Sequence, residues 1–371
     1  MVTRWMPPRD ALCRHICLDP RPFGECRGLE WPGYPHARFT EMPCSVSKLF
    51  PSTALIFVLG SGSGISNSEK PQSNTVVFQL AHVFRGSNGY VNGVACSPDG
   101  SVVALAGDDG KVRLLNSETG AALRTLTAHR GAAYSVAISP DGRMLASAGF
   151  DGTIRVWDLA SGRELRAFTG HKGWVNAIAF AAGGRELVSA GRDSTVRLWD
   201  VASGSSLRVI DDYQSEVFAV AASADGRWLA SDKGDSFSVR EIRTGKQIAD
   251  GAPGQWGINT LVFGPRAHEL MTSGYDGKLW RWDITASAVA GTVPIDGGPI
   301  ISIAVSGDGL LLAALCSGDR TVKIFDTASW KMISRLDGTS YPVGTAAFSA
   351  DGKWLAAGGG DSPVRVWRRR D

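Results

Sequence analysis

Apolar and polar residues alternate in short runs from about residue 75 to the end of this chain. Val175-Asn176-Ala177-Ile178-Ala179-Phe180 shows the alternation, and brief apolar runs such as Met144-Leu145-Ala146-Ser147 follow turns rich in Gly, Asp and Pro. A period of two residues between such turns is typical of half-buried strands. No window here carries a sustained stripe at the 3.6-residue spacing of a helix, so the pattern predicts an all-β fold.

A tetrapeptide repeats along the same region at a nearly fixed interval. The steps between its first residues are 42, 42, 42, 41, 42 and 43. The seven copies are Ser97-Pro98-Asp99-Gly100, Ser139-Pro140-Asp141-Gly142, Ala181-Ala182-Gly183-Gly184, Ser223-Ala224-Asp225-Gly226, Gly264-Pro265-Arg266-Ala267, Ser306-Gly307-Asp308-Gly309 and Ser349-Ala350-Asp351-Gly352. A fixed period of this length indicates one supersecondary unit that is copied many times. Asp-Gly favours tight hairpins, so each copy is predicted to hold four short antiparallel strands.

A second signature, ending in Trp-Asp, starts roughly ten residues after the tetrapeptide in several copies. It spans 149–158, 191–200 and 274–283, and Gly170-His171 precedes one copy. These residues resemble the WD40 repeat. Seven copies in register imply a seven-bladed β-propeller over residues 75–371, with blades of ~40–45 residues and four strands each. One fold hosts many activities, so the resemblance alone implies no particular reaction.

The strand with which the last copy ends predicts how such a ring closes. The last copy ends at 364–370, which is the third strand of its blade. Residues 76–83 precede the first copy and correspond in position to the fourth strand at 164–169. We expect this early segment to pair with the strand near Trp367 and to complete blade seven, because an unpaired sheet edge would promote aggregation.

The resemblance also implies a hydrogen-bonded set of His, Ser, Asp and Trp inside a blade. Two copies match it at every position. They contribute His129, Ser147, Asp151 and Trp157, and His171, Ser189, Asp193 and Trp199. A Ser near a His and an Asp also suggests a hydrolase triad. Because the set occurs twice at the repeat spacing, we interpret it as a structural network that satisfies buried polar groups.

The other copies depart from this set. Ser87 and Leu115 stand at the His and Trp positions of copy one, Gly254 at the His position of copy five, and Phe325 at the Trp position of copy six. Copy four is interpreted as carrying one extra residue around Gly234-Asp235. We expect these blades to rely more on apolar packing.

Two classes of position are implied, by the resemblance, to point to a loop face where partners bind. The residues just before the turn Asp are Asp108, Phe150, Arg192, Tyr275, Gly318 and Gly360. Those at the start of the innermost strands are Tyr90, Trp174, Glu216, Trp256 and Tyr341. Loops on rigid scaffolds carry binding residues, and aromatic residues and Arg are frequent at interface hot spots. The candidate interaction face is therefore Tyr90, Asp108, Phe150, Trp174, Arg192, Glu216, Trp256 and Tyr275. A second interpretation stays open, in which these aromatic residues only cap the blade cores.

Composition narrows the function classes. The chain has 39 basic and 36 acidic residues, a balance that does not indicate nucleic-acid binding. Gly60-Ser61-Gly62-Ser63-Gly64 lacks the spacing of a nucleotide-binding turn, and Cys13, Cys17 and Cys26 fit no zinc finger, so no cofactor or metal is expected. We expect a monomer that acts as a non-catalytic scaffold for protein partners. A regulatory or sensor subunit of a separately encoded enzyme, and an enzyme using the central channel, remain as alternatives.

The first 74 residues differ from the repeats. Residues 1–41 show no periodicity and are interpreted as disordered or as a mis-assigned start. Residues 42–74 read as a signal peptide and linker, with Lys48 ahead of an apolar core too short for the ~20 residues of a membrane span. The hypothesis is that translation starts at Met42 and the protein is exported to the periplasm; the alternative is a cytoplasmic protein with a disordered extension. Richness in Ala, Gly and Arg suggests a bacterial origin.

Overall fold

The computed structural model describes residues 76–84, 89–253, 257–266, 268–337, 344–359 and 363–370. All of them lie within one compact unit, Pro71–Asp371. The predictions for residues 1–41 and 42–74 fall outside the described residues and stay predictions. So do the interpretations that rest on Ser87, Gly254, Trp256, Tyr341 and Gly360.

The described residues form 28 strands and one short 3-10 helix, Ala182–Gly184. In chain order the strands are β1 Val77–Phe84, β2 Val91–Cys96, β3 Val102–Gly107, β4 Lys111–Asn116, β5 Ala122–Thr127, β6 Ala133–Ile138, β7 Met144–Gly149, β8 Ile154–Asp158, β9 Glu164–Phe168, β10 Val175–Ala181, β11 Glu186–Gly191, β12 Val196–Asp200, β13 Ser206–Ile210, β14 Val220–Ala222, β15 Trp228–Asp232, β16 Phe237–Glu241, β17 Gln247–Gly251, β18 Ile258–Phe263, β19 Glu269–Gly274, β20 Lys278–Asp283, β21 Ala288–Pro294, β22 Ile300–Val305, β23 Leu311–Cys316, β24 Thr321–Asp326, β25 Met332–Leu336, β26 Thr345–Phe348, β27 Trp354–Gly358 and β28 Val364–Arg370.

These strands make seven antiparallel sheets of four strands each in the described part of the chain. Blades one to six are β2–β5, β6–β9, β10–β13, β14–β17, β18–β21 and β22–β25, and blade seven has the order β1-β28-β27-β26. The first strand of each blade contacts the first strand of the next, and β26 contacts β2. The sheets therefore form a closed ring, and the predicted all-β, seven-bladed propeller is confirmed.

Strand β1 closes this ring from the other end of the sequence. Leu80 lies opposite Trp367 in an antiparallel ladder with β28. Phe78 is buried, with its ring centroid 6.1 Å from that of Phe348 in the same blade. The predicted closure of blade seven by the early segment is confirmed. Without β1, the edge of β28 would be left unpaired.

The tetrapeptide is explained by the hydrogen bonds of the turn after each innermost strand. In copy two, Ser139 Oγ donates to Asp141 Oδ1 at 2.5 Å and accepts the N–H of Met144 at 2.9 Å. Equivalent pairs link Ser97 with Asp99 and Ser349 with Asp351. The serine and aspartate thus fix the turn that sets the register of the first two strands, which is why they recur.

The hydrophobic core is divided among the spaces between neighbouring blades. Val91 and Leu105 of blade one pack with Trp354 and Val366 of blade seven, and each remaining space holds a comparable cluster of buried residues. Burial of a Val or Leu side chain contributes ~1.5–3 kcal/mol. A blade is therefore stabilised mainly by its neighbours, which makes closure of the ring important for every blade.

Candidate interaction face and blade networks

The polar networks of blades two and three join the four predicted side chains in one hydrogen-bonded chain. In blade two, His129 Nε2 lies 2.9 Å from Ser147 Oγ, and its Nδ1 lies 2.9 Å from Asp151 Oδ1. Trp157 Nε1 donates to the same serine oxygen at 3.1 Å. The equivalent distances for His171, Ser189, Asp193 and Trp199 of blade three are 2.7, 2.9 and 2.9 Å.

Burial sets the protonation of these networks. It lowers the pKa of His129 and His171 below 6.5. The neighbouring aspartate raises the pKa of each histidine, but by less than burial lowers it. Burial alone would raise the pKa of Asp151, but the backbone N–H of Arg130 and the Thr153 hydroxyl hold the pKa below its ordinary value. A neutral histidine that donates from Nδ1 to a charged aspartate fits these shifts.

This geometry opposes the reading of the set as a hydrolase triad. Ser147 and Ser189 are fully buried. Each hydroxyl oxygen accepts the indole N–H of its tryptophan and is bonded to its histidine. A substrate carbonyl has no path to such an oxygen, whereas a catalytic serine must reach it.

Blades one, five and six hold the turn aspartate by other donors, so the expectation that they rely more on apolar packing needs correction for these three blades. Arg113 pairs with Asp109 at 2.6 Å in blade one, and Lys323 pairs with Asp319 at 2.6 Å in blade six. In blade five, Trp280 Nε1 donates to Asp276 Oδ2 at 2.7 Å. Each donor lies four residues after its aspartate, where the third strand places it beside the turn.

Blade four differs in another way. Tyr213 stands at the histidine position, and its hydroxyl bonds to Ser231 Oγ. Arg240 lies opposite Leu229, as Trp157 lies opposite Leu145 in blade two. The interpretation of an extra residue around Gly234-Asp235 is therefore wrong. The turn between β15 and β16 is one residue shorter, which brings Arg240 to the tryptophan position.

The two predicted classes of face residue lie side by side at one end of the blades. The N–H of Asp108 donates to the carbonyl of Tyr90 at 2.8 Å, and the N–H of Arg192 donates to that of Trp174 at 2.8 Å. The first strand of a blade begins where its second strand ends, so both classes reach the same loops. This end of the propeller carries the candidate interaction face.

Four of the predicted residues meet around Trp174. Its ring centroid is 4.6 Å from that of Phe150, and Arg192 Cζ lies 3.6 Å from the Trp174 centroid. Arg192 Nε in turn lies 3.4 Å from Glu216 Oε2. Tyr134 stacks on the tryptophan at 5.5 Å. These five residues, from blades two, three and four, are called the Trp174 cluster.

Tyr134 is the member of the cluster that the sequence analysis missed. Its equivalents in alternate copies are Asn92, Asn176 and Asn259, whose side chains donate to a carbonyl of the next blade at 2.9–3.0 Å. An aromatic residue at this position, between copies that carry Asn, is the signal that could have identified it.

The remaining predicted residues lie elsewhere on the face. Tyr90 and Asp108 belong to blade one, and Tyr275 belongs to blade five, so each is separated from Trp174 by a whole blade. Tyr90 and Tyr275 are 50% and 47% exposed. A cleft of about 520 Å³ lies beside Tyr275 and is also lined by Asp276 and Trp280. Trp256 lies outside the described residues.

The described residues hold neither a cluster of metal ligands nor a membrane-spanning helix. Within these ranges, no three His, Cys, Asp or Glu side chains converge as metal ligands would. No helix in the same ranges has the length and apolar character needed to cross a bilayer. Cys96 and Cys316 are free thiols, and burial raises the pKa of Cys96 to about 12.

Comparison with known families agrees with the fold. The profile of the WD40 family, described as WD domain, G-beta repeat, matches residues 78–116, 120–158, 162–200, 292–326 and 330–368. These segments cover just over half of the chain, which belongs to the WD40 family. They omit residues 201–291, the part that contains Tyr213 and Arg240 in place of the usual histidine and tryptophan.

Individual relatives match parts of the repeat region. The chain is 31% identical over 103 residues to the target of rapamycin complex subunit wat1 of Schizosaccharomyces pombe, covering 27% of this chain and 32% of that protein. It is 37% identical over 135 residues to the WD repeat-containing protein SL1-17 of Schistosoma mansoni, covering 35% and 43%. It is 33% identical over 100 residues to a guanine nucleotide-binding protein subunit beta of Schizosaccharomyces pombe, covering 27% and 32%.

The matches span less than half the length of each of these relatives. All three come from eukaryotes, so they give no support to the bacterial origin that the composition suggested.

Proposed function

We propose that this protein is a non-catalytic scaffold that binds a partner protein through its candidate interaction face, with the Trp174 cluster at the centre. The observation that carries the proposal is the contact of Trp174 with Phe150, Tyr134 and Arg192. Aromatic residues and Arg supply most of the energy at interface hot spots. Their mutual contacts hold these side chains in place before a partner arrives, which lowers the entropic cost of binding.

The exposure of the cluster suits this role. Phe150 is 44% exposed, and the side chains of Arg192 and Glu216 are 31% and 41% exposed. A residue that only caps a blade core would be covered by its own blade. The cluster instead presents an aromatic surface with one positive and one negative group beside it.

The relatives support a role as a subunit. Two of them are named as subunits. One is a subunit of a target of rapamycin complex, and the other is the beta subunit of a guanine nucleotide-binding protein. We infer from these names only that a ring of this kind serves in assemblies. A regulatory subunit of a separately encoded enzyme would use the same face. Action as a monomer, without nucleic acid and without catalysis, stays a prediction.

The proposal is tested by capture of partners from the native host on the full-length protein. Phe150→Ala combined with Trp174→Ala is compared with the wild type, and Leu207→Ala combined with Met332→Ala is the control. Leu207 and Met332 are about as exposed as Phe150 but lie on fourth strands, away from the face. We expect partners to be lost from the face variant and kept by the control variant. Identical sets of partners for all three proteins would refute the proposal.

A further inference from the structure

Three neighbouring blades carry an arginine at the same repeat position on their fourth strands. Arg124 Nε donates to the carbonyl of Ala160 in the next blade at 3.1 Å. Arg208 Nη2 donates to the carbonyl of Arg243 in the next blade at 3.1 Å. In each case the side chain bridges the space between two blades. Arg166, between them in sequence, makes no such bond within the described part of the chain.

A wide groove lies between blades two and three, where the bridge is missing. Its volume is about 590 Å³, against about 320 Å³ for the corresponding groove bridged by Arg124. The larger value lies well inside the ~300–1,000 Å³ range of ligand pockets. The groove is at the opposite end of the blades from the Trp174 cluster, because it is lined by the turns that follow β8, β10 and β12.

The groove combines apolar side chains with three arginines. Met144 and Val201 contribute to its lining, together with Leu165, which is 38% exposed. Arg163, Arg166 and Arg185 are the cationic residues that line it, and all three are exposed.

Two carboxylates also line the groove, and each has a partner of its own. Glu164 pairs with Arg155 at 2.8 Å. Asp200 accepts both the N–H and the hydroxyl of Ser203 at 2.6 Å within its own turn. Asp200 keeps its charge and attracts Arg166. The three arginines still outnumber the two lining carboxylates, and Glu164 is paired with Arg155, so the groove has a positive balance and favours an anionic occupant with an apolar part.

We propose that this groove binds a short acidic segment of a partner protein that carries one bulky apolar side chain. The apolar side chain contacts Leu165 and Met144, and the carboxylates pair with Arg166 and Arg163. Arg is suited to this role because its planar guanidinium binds a carboxylate through two parallel hydrogen bonds. The site is separate from the interaction face and would give the scaffold a second point of attachment.

The first 75 residues of the chain itself are a poorer fit. They contain eight Lys and Arg against six Asp and Glu, with no acidic run. Charge complementarity therefore favours a segment from another protein.

The test uses a displayed library of random twelve-residue peptides, selected on the full-length protein. Bound peptides are then titrated by fluorescence anisotropy against the wild type, Arg166→Glu and Leu165→Ser. The matched controls are Arg208→Glu and Leu207→Ser, which change the equivalent positions of the next blade. Trp174→Ala identifies peptides that bind the interaction face, because only those should lose affinity for this variant.

We expect a class of acidic peptides with one apolar residue that binds Trp174→Ala as well as the wild type. Their affinity should fall at least tenfold for Arg166→Glu and for Leu165→Ser, and by less than twofold for the controls. The proposal is overturned if no acidic class is selected, if Arg166→Glu binds it as well as the wild type, or if the control variants lose as much affinity. Selection of this acidic class without any peptide whose binding depends on Trp174 would count against the proposed function. It would leave the proposal for the groove standing.

Discussion

Arg192 of blade three lies over the ring of Trp174, with Cζ 3.6 Å from the ring centroid. Stacking uses the face of the guanidinium and leaves N–H groups at its edge for other partners. Glu216, from blade four, places its Oε2 3.4 Å from Arg192 Nε. Blade three therefore presents one cationic and one aromatic group at the same point of the interaction face, and blade four adds a carboxylate beside them.

Arg192→Ala should weaken partner binding strongly while lowering the stability of the fold only slightly. The cation–π contact is partly exposed, so its loss should lower the free energy of unfolding by no more than about 1 kcal/mol. If Arg192 is a hot spot, its loss should weaken binding of the captured partner at least tenfold, since truncation of a hot spot costs about 2 kcal/mol or more. Urea denaturation and a binding titration on the same preparation measure the two effects. Unchanged affinity would remove Arg192 from the binding surface.

Asp193→Ala should destabilise the fold. Asp193 accepts hydrogen bonds from His171 at 2.9 Å, from the N–H of Lys172 at 2.9 Å and from the Thr195 hydroxyl at 2.8 Å. Donors left without a partner cost about 1–3 kcal/mol, and urea denaturation should show a loss of that size. Asp235→Ala is the control, because Asp235 has the same repeat position in blade four and is exposed. It should change stability by less than about 0.5 kcal/mol. Equal effects would contradict the assigned role of the network.

Stability should fall as pH is lowered from about 7.5 to 5.5. Burial lowers the pKa of His129 and His171 below 6.5, so the unfolded chain takes up protons before the folded one does. Folding stability then rises with pH across this window and is lost as pH falls below 6.5. The slope should be smaller in a variant with His129→Gln and His171→Gln, whatever its absolute stability. Denaturation at several pH values measures both slopes, and parallel curves would show that these histidines are not responsible.

Removal of residues 1–86 should destabilise the whole ring, because it deletes β1 and uncovers β28. Loss of buried Phe78 alone should cost about 3–5 kcal/mol. Removal of residues 1–70 keeps β1 and is the control. We expect a clearly lower melting temperature and aggregation only for the longer truncation. Equal melting temperatures for the two proteins would mean that β1 contributes little to closure.

The propeller could be predicted from the sequence because its turns are encoded locally. A serine and an aspartate two residues apart fix this hairpin in five of the seven copies, as in Ser139 and Asp141, and so recur at the repeat spacing. The pairing of β1 with β28 followed from the missing fourth strand of the last copy.

The contacts between blades could not be predicted in the same way. Tyr134 reaches Trp174 from the neighbouring blade, about one repeat away in sequence. Arg124 bridges two blades whereas Arg166 does not, although both occupy the same repeat position. Such differences depend on which side-chain conformers the neighbouring blade permits, and single-copy patterns do not contain that information. The donors to Asp109 and Asp319 were missed for a related reason. In the sequence a cation four residues after an aspartate is typical of a solvent-facing side chain, whereas Lys323 is buried.

Site-specific photo-crosslinking in the native host shows whether a partner protein docks at the Trp174 cluster. Phe150 and, separately, Leu207 are replaced by benzoylphenylalanine in the full-length protein, since both are exposed but only Phe150 belongs to the Trp174 cluster. We expect a defined crosslinked partner from position 150 that is absent from position 207 and disappears when Trp174→Ala is added. Partner crosslinks from position 207 with none from position 150 would show that proteins dock elsewhere on this ring.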